Sequence, residues 1–170
     1  LPLPGILPPA IADRHTRDER NLLLQDGVST TVVDAGGRVL IERLITTYQV
    51  NAFNVADISY LDVETMRTLA YLRLTVRARI SQRYPRHKLA DNGTRFAPGQ
   101  AVVTPADIRS ELIVLFRQWE EAGLAEGMEQ FKRDLIVQRS STDPNRVDAI
   151  IPPDVINQFR VFAAQVQFRL

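Results

Sequence analysis

The sequence has no cysteine, which removes several kinds of chemistry at once. A chain without thiols forms no disulfide bond, no thiolate zinc site and no cysteine nucleophile. It has only two histidines, His15 and His87, and neither has a second histidine three or four residues away, as paired metal ligands on a helix need. We therefore predict no metal site, with both histidines in solvated surface positions.

Motifs of common enzymes are also missing. The sequence contains no Gly-x-Ser-x-Gly nucleophile elbow and no Walker-type phosphate loop. Several acidic residues near the end of a predicted helix could supply paired carboxylates, but a solvated acidic helix end is the better interpretation. We predict no catalytic residue, no cofactor and no enzymatic activity. These acidic residues are Glu120, Glu121, Glu126 and Glu129.

No apolar run approaches the ~18–20 residues that a membrane-spanning helix needs, so we predict no membrane insertion. Leu1-Pro2-Leu3-Pro4 has neither the basic start nor the apolar block of a signal peptide. Because the sequence begins with leucine, we expect a piece of a longer polypeptide. Its net charge of +1 gives no argument for binding nucleic acid or a membrane surface.

The order of local patterns predicts an α+β fold. We expect a single domain in which a small mixed or antiparallel sheet is packed by two long helices and one short helix, with an extended C-terminal β-arm. The predicted organisation is a proline-rich linker at 1–13, a core domain at 14–157 and the arm at 158–170. The predicted elements are a short helix at 17–26, a hairpin from 28 to 47, long helices at 63–84 and 105–122, and a central strand at 135–137.

The first long helix carries arginines within its apolar stripe. The stripe predicted to face the core is interrupted by Arg73 and Arg77. Because an unpaired buried charge is costly, we predict that both pair with buried carboxylates inside the domain. The stripe consists of Val63, Met66, Leu69, Ala70, Val76, Ile80 and Tyr84.

The last residues alternate in a period of two, which is typical of a strand with one apolar face. Two interpretations remain open from the pattern alone: an edge strand of the chain's own domain, or a strand that completes a sheet in another subunit. The residues predicted to form a subunit interface are Phe159, Val161, Val166, Phe168 and Leu170.

Charge is distributed unevenly along the nearly neutral chain. Between Thr65 and Ala90 there is no acidic residue, whereas 105–129 is mainly acidic. The two segments either neutralise each other within the domain or favour head-to-tail self-association. A row of Arg79, Arg83 and Arg86 gives a third hypothesis, a nucleic-acid-binding module that uses the basic segment 67–88, although no aromatic residues are interleaved as a stacking platform needs.

The order of several short strings resembles the C-terminal domain of contractile phage tail sheath proteins, most closely the Mu-like type. The resemblance covers the chain from about residue 14 to residue 170, and the joint order of the strings is more specific than any one of them. They are 42–51, 59–63, Tyr84-Pro85-Arg86, 88–91, 104–112, 143–148 and 153–158.

The resemblance implies a structural subunit of the virion. Such subunits form hexameric rings that stack helically around the tail tube protein, assemble in the bacterial host cytoplasm, and contract to drive the tube through the host envelope. The implied partners are other copies of the subunit, joined by strand exchange, together with the tube, the baseplate and the tail terminator, and no nucleic acid. The resemblance also makes the basic segment a candidate contact to the tube or to a neighbour, through Arg79, Arg83, Arg86 and Lys88.

Overall fold

The computed structural model describes residues 1–168. The chain divides into two compact units, one of residues 1–70 and a second that begins at Tyr71. The α+β class is confirmed: the described residues contain four α-helices and eight short strands. The helices are α1 (Arg17–Gln25), α2 (Val63–Arg83), α3 (Pro105–Glu121) and α4 (Met128–Asp134), and the strands are β1 (Thr30–Val33), β2 (Val39–Arg43), β3 (Lys88–Leu89), β4 (Val102–Val103), β5 (Ala125–Glu126), β6 (Ile136–Arg139), β7 (Val147–Ile150) and β8 (Asp154–Val155).

The strands lie in four separate pairs over the described part of the chain. β1–β2, β5–β8 and β6–β7 are antiparallel, and β3–β4 is parallel. One small sheet was expected instead. The prediction of a central strand at 135–137 is wrong, because β6 pairs with β7 alone. Four of the strands have only two residues, which is too short to join one pair to the next.

In the first unit, a capping box starts α1, the short helix predicted at 17–26. The Thr16 hydroxyl accepts a hydrogen bond from the Glu19 amide at 3.3 Å, and the Glu19 carboxylate accepts one from the Thr16 amide at 2.7 Å. Gly27 follows the helix with a φ of 77°, and a Cβ at this position would lie 3.1 Å from the Cα of Thr47. Glycine is therefore required there for both conformation and space.

The predicted hairpin is confirmed, and the N-terminal residues lie against it. β1 and β2 pair from Thr30–Arg43 to Val33–Val39 with one irregularity. The Leu3 amide donates to the Val39 carbonyl, and the Ile41 amide donates to the Leu1 carbonyl, each at 2.9 Å. The start of the segment predicted to be a proline-rich linker thus extends the hairpin along β2.

The second unit is built around one apolar face of α3. Leu112, Leu115, Phe116 and Trp119 recur at helical spacing and are nearly inaccessible to solvent. The ring of Phe116 stacks on Phe131 of α4 at 4.0 Å between centroids. The sequence did not predict α4, so it did not predict this stacking contact. The full cluster is Leu72, Leu112, Leu115, Phe116, Trp119, Ala125, Phe131 and Leu135.

The buried side of α2 differs from the predicted stripe. Leu72, which was not in that stripe, is the residue of α2 that is fully buried, and Val76 packs beside it against the core of the second unit. Met66, predicted to be buried, is 41% exposed. The stripe was misplaced because apolar and basic residues alternate around the whole helix, so its periodicity is weak.

Candidate functional site

The basic segment and the acidic helix meet at Glu111. The Arg79 guanidinium lies 3.3 Å from one Glu111 carboxylate oxygen, and Arg83 lies 3.8 Å from the other. The Glu111 side chain is 14% exposed, so this is a partly buried ion pair between α2 and α3. Arg79 also donates to the side chain of Gln118. The charges of these two arginines are therefore neutralised within the domain.

A tyrosine extends this cluster at the end of α2. Tyr84 is half-buried, and its hydroxyl lies 3.5 Å from the Asp107 carbonyl oxygen. Burial raises the pKa of Tyr84, and the negative charges of Glu111 and Asp107 raise it further. Tyr84 therefore stays protonated and neutral beside the ion pair at physiological pH.

The segment directly after α2 presents two cations without an ion-pair partner among residues 1–168. Arg86 and Lys88 are exposed, and neither forms a salt bridge in that range. Arg86 has a φ of 59°, which costs a residue other than glycine about 1 kcal/mol. The turn is held by the His87 ring, whose Nδ1 lies 3.1 Å from the Pro85 carbonyl oxygen. Of the four predicted electrostatic contacts, Arg86 and Lys88 are thus the ones that remain available to another molecule.

The predicted pairing of Arg73 and Arg77 with buried carboxylates is wrong. Both side chains are exposed on α2, and no carboxylate of the described residues lies within ion-pair distance of either. The reason is the rotation of the helix noted above. Because Leu72 and Val76 face the core, Arg73 and Arg77 point away from it.

The predicted arm has no strand partner in its own chain over the described residues. After β8, residues 156–168 are exposed and adopt no regular structure. The most exposed apolar side chains are Val166 at 92%, Phe159 at 84% and Phe168 at 83%. Leu170 lies outside the described residues. Residues 158–168 therefore do not form an edge strand of their own domain.

A second exposed apolar feature was missed by the sequence analysis. Phe53 is 86% exposed at the tip of a loop in the first unit. The side chain of Asn51 shapes the loop by accepting hydrogen bonds from the Phe53 amide at 2.9 Å and the Val55 amide at 3.1 Å. No periodicity marks this loop, and only its turn-forming asparagines give a signal.

The base of the same loop contains a tyrosine–aspartate hydrogen bond. The Tyr48 hydroxyl donates to Asp57 at 2.6 Å. This hydrogen bond, with smaller contributions from burial and from the Asp57 and Tyr60 charges, raises the pKa of Tyr48 to about 12. The Tyr60 ring meets the Tyr48 ring edge-on at 5.3 Å. The loop is therefore ordered by specific contacts.

Within residues 1–168, no three histidine, aspartate or glutamate side chains come together as a metal ion would require. None of the helices found there has the length and apolar character to cross a bilayer. What the described chain offers is a set of exposed surfaces: the arm, the loop of Phe53, and the free cations of α2 and the following turn.

Comparison with known proteins gives the family. Residues 55–169 match the family model described as the phage tail sheath C-terminal domain. The chain belongs to this family. It is also 52% identical, over 165 residues, to the Mu-like prophage FluMu tail sheath protein of Haemophilus influenzae, an alignment that covers 97% of this chain and 34% of that protein. The resemblance to the Mu-like type is thus confirmed.

A solved structure supports the same fold. The sheath tail protein from Desulfitobacterium hafniense is similar with a TM-score of 0.53 at 15% identity, covering 85% of this chain and 34% of that one. The chain spans about a third of the length of both relatives. Membership of the sheath family implies a structural role in a phage tail. None of the comparisons supports the nucleic-acid hypothesis, and Arg79 and Arg83 are already paired with Glu111.

Proposed function

We propose that this chain is the part of a contractile tail sheath subunit that links neighbouring subunits while they polymerise around a tail tube. Contraction of that polymer drives the tube through the host envelope. The sheath family match supports this role. The observation that carries it is the C-terminal arm, which extends beyond the last strand pair and leaves large apolar side chains exposed.

The proposed partners follow from the same role. They are other copies of the subunit in helically stacked hexameric rings, the tail tube protein inside them, and the baseplate and tail terminator at the two ends. The subunit is assembled in the host cytoplasm and is then part of the virion. In this proposal the core domain of residues 14–157 holds its position in the ring, the segment 1–13 leads to it, and the arm 158–170 reaches a neighbour.

The physical case for the arm rests on its exposed apolar surface and its reach. Eleven described residues in an extended conformation reach about 35 Å, at roughly 3.3 Å per residue. Main-chain hydrogen bonds to the edge of a neighbour's sheet would fix the arm, and burial of each large apolar side chain would contribute about 1.5–3 kcal/mol. A strand held in this way is insensitive to small rotations of the domain that donates it, as a contracting sheath requires.

The parity of the apolar positions adds a detail. Phe159 and Val161 occupy odd positions, whereas Val166 and Phe168 occupy even ones. In one straight strand these pairs would face opposite sides of the sheet. We propose that the arm either is covered on both faces or changes phase near Ala163, where an irregularity would bring all four side chains to one face.

The test is negative-stain electron microscopy of the sheath protein that contains this chain, expressed alone and with its tube protein. Deletion of 158–170 is expected to abolish striated tubes while leaving the circular dichroism spectrum of the folded core unchanged. A sharper variant is Val166→Asp with Phe168→Asp, and its matched control is Gln165→Asp with Gln167→Asp. Both add two charges to the arm, but only the first places them on the apolar face.

Tubes that form normally from the deletion variant would refute the role of the arm. Equal loss of tubes in both aspartate pairs would show that added charge, and not the buried face, is responsible. Failure of the unaltered protein to form tubes under any condition would count against the sheath function itself.

The exposed cations Arg86 and Lys88 belong to the same proposal as contacts to the tube or to a neighbouring subunit. Their support is that they have no ion-pair partner within residues 1–168 and that Arg86 is held in a costly conformation. Replacing both with glutamine is expected to weaken assembly at low salt and to have less effect at high salt, because exposed charges are screened.

A further inference from the structure

The outward side of α2 in the second unit carries an unusual set of exposed residues. Tyr71 is 51% exposed and Leu74 is 63% exposed. Arg73 and Arg77 are also exposed. At roughly 100° per residue, the four residues span about 160° around the helix axis, in the order Arg73, Arg77, Leu74 and Tyr71. We call these four residues the outer face of α2. Tyrosine and arginine are the residue types enriched where protein interfaces gain most of their binding energy.

The chain's own acidic helix cannot neutralise this face. Arg79 and Arg83, which reach Glu111 of α3, each lie six residues after Arg73 and Arg77 respectively. At roughly 100° per residue, six residues make two turns less about 120°. Arg73 and Arg79 therefore point in directions about 120° apart around the helix axis, and so do Arg77 and Arg83. Since Leu72 faces the α3 side of the helix, the outer face is directed away from α3. Among residues 1–168, no carboxylate lies within ion-pair distance of Arg73 or Arg77, which leaves both charges available to a partner molecule.

Retaining this face has a cost for the isolated chain. Arg73 and Arg77 are one helical turn apart, and like charges at that spacing destabilise a helix. Leu74 and Tyr71, farther around the helix, leave large apolar surface in water. A partner that supplies carboxylates and covers Tyr71 and Leu74 would remove both costs.

The second unit has a complementary surface at the other end of α3. Glu121 lies two residues after the buried Trp119 and five residues before Glu126, which lies directly opposite Asp154 in the β5–β8 pair. All three carboxylates are exposed. Like charges opposite each other in an antiparallel pair are destabilising, so this surface also gains from a cationic partner. We call these three residues the acidic edge.

We propose that the outer face of α2 docks against the acidic edge of a second copy of this chain. Because the two surfaces differ, the contact is head-to-tail, and repeating it generates a ring or a helical array. This inference rests on the proposed function, because it requires that copies of the chain assemble with one another. It is separate from strand exchange, since it uses no residue of the arm.

Site-directed cross-linking tests the contact, and the chain's lack of cysteine makes the labelling specific. One copy carries Leu74→Cys and a second, distinguishable by a mass tag, carries Ala122→Cys beside Glu121. Both positions are exposed, so folding should be preserved, which circular dichroism checks. The control pair is Leu74→Cys with Gln100→Cys, because Gln100 is also exposed. With a short bismaleimide, we expect the yield of mixed dimer from Leu74→Cys with Ala122→Cys to be about ten times the yield from the control pair.

Charge reversal gives a second, independent measurement. Arg73→Glu with Arg77→Glu is expected to lower the mixed-dimer yield about tenfold, and Glu121→Arg with Glu126→Arg in the other copy is expected to restore it. The matched control, Arg95→Glu with Arg117→Glu, makes the same change in net charge at exposed positions and should leave the yield unchanged.

Two results would overturn the proposal. The first is a mixed-dimer yield equal to that of the control pair. The second is a mixed dimer that disappears when the tube protein is added to the mixture, which would assign the face to the tube. The cross-link is measured in solution, so it is scored whether or not tubes form. Loss of tubes on arm deletion with an intact cross-link would separate the two proposals.

Discussion

The ion pair that joins α2 to α3 allows the most discriminating prediction. Glu111 interacts with two arginines in different surroundings. Arg79 is 3.3 Å away and its side chain is 29% exposed, whereas Arg83 is 3.8 Å away and 65% exposed. We expect the coupling free energy of Arg79 with Glu111 to be clearly larger than that of Arg83 with Glu111.

The magnitudes follow from distance and solvent access. Two charges 3.3 Å apart attract with about 5 kcal/mol at an effective dielectric constant of 20, before desolvation and side-chain ordering are subtracted. Measured couplings of surface pairs after those costs are about 0.2–1 kcal/mol. With Glu111 only 14% exposed, we expect about 1 kcal/mol for Arg79 and less than about 0.5 kcal/mol for Arg83.

Double-mutant cycles measure both couplings. The variants are Glu111→Gln, Arg79→Gln, Arg83→Gln and the two double variants, with the free energy of unfolding determined by urea denaturation followed by circular dichroism. Cycles isolate the pairwise energy even though Arg79 also contacts Gln118. Raising the salt to about 1 M should abolish the Arg83 coupling first. Equal couplings would refute the ranking by distance and exposure, and no coupling for Arg79 would refute internal neutralisation of the basic segment.

Two further predictions concern stability. Phe116→Ala removes a fully buried ring and is expected to cost about 3–5 kcal/mol in urea denaturation, whereas Val114→Ala, half-exposed on the same helix, should cost less than about 0.5 kcal/mol; similar losses would contradict the placement of the core. The Asp57 hydrogen bond raises the Tyr48 pKa from 10.0 to about 12, so its stabilisation is present below pH 10 and is lost as the pH rises towards 12. Tyr48→Phe should therefore flatten the alkaline loss of thermal stability, and Tyr71→Phe, a change at an exposed tyrosine, should not.

Several elements were predicted from the sequence because their signals are local. The capping box of Thr16 and Glu19 defines the start of α1, and Thr104 with Pro105 defines the start of α3. The apolar face of α3 follows from its helical spacing. The hairpin was evident from two β-rich runs around Gly36. In each case the residues that determine the element lie within it.

Other elements were not predicted because their partners are distant in sequence. β5 and β8 have two residues each and pair Ala125 with Val155, so neither shows a period. α4 has seven residues, of which Phe131 is the one that is buried, and its position depends on stacking against Phe116. The orientation of α2 was misjudged because its apolar residues are not confined to one face.

The sequence by itself determined the family, the absence of thiol chemistry, the two long helices and the alternating terminal segment, because each depends on residue identity and near neighbours. Only the tertiary structure decided which basic residues are neutralised. Arg79 and Arg83 meet Glu111 across a helix pair, whereas Arg73 and Arg77, on the same helix, remain exposed. Their positions along the chain are similar, but the rotation of α2 about its axis, fixed by burial of Leu72, places the two pairs in different environments.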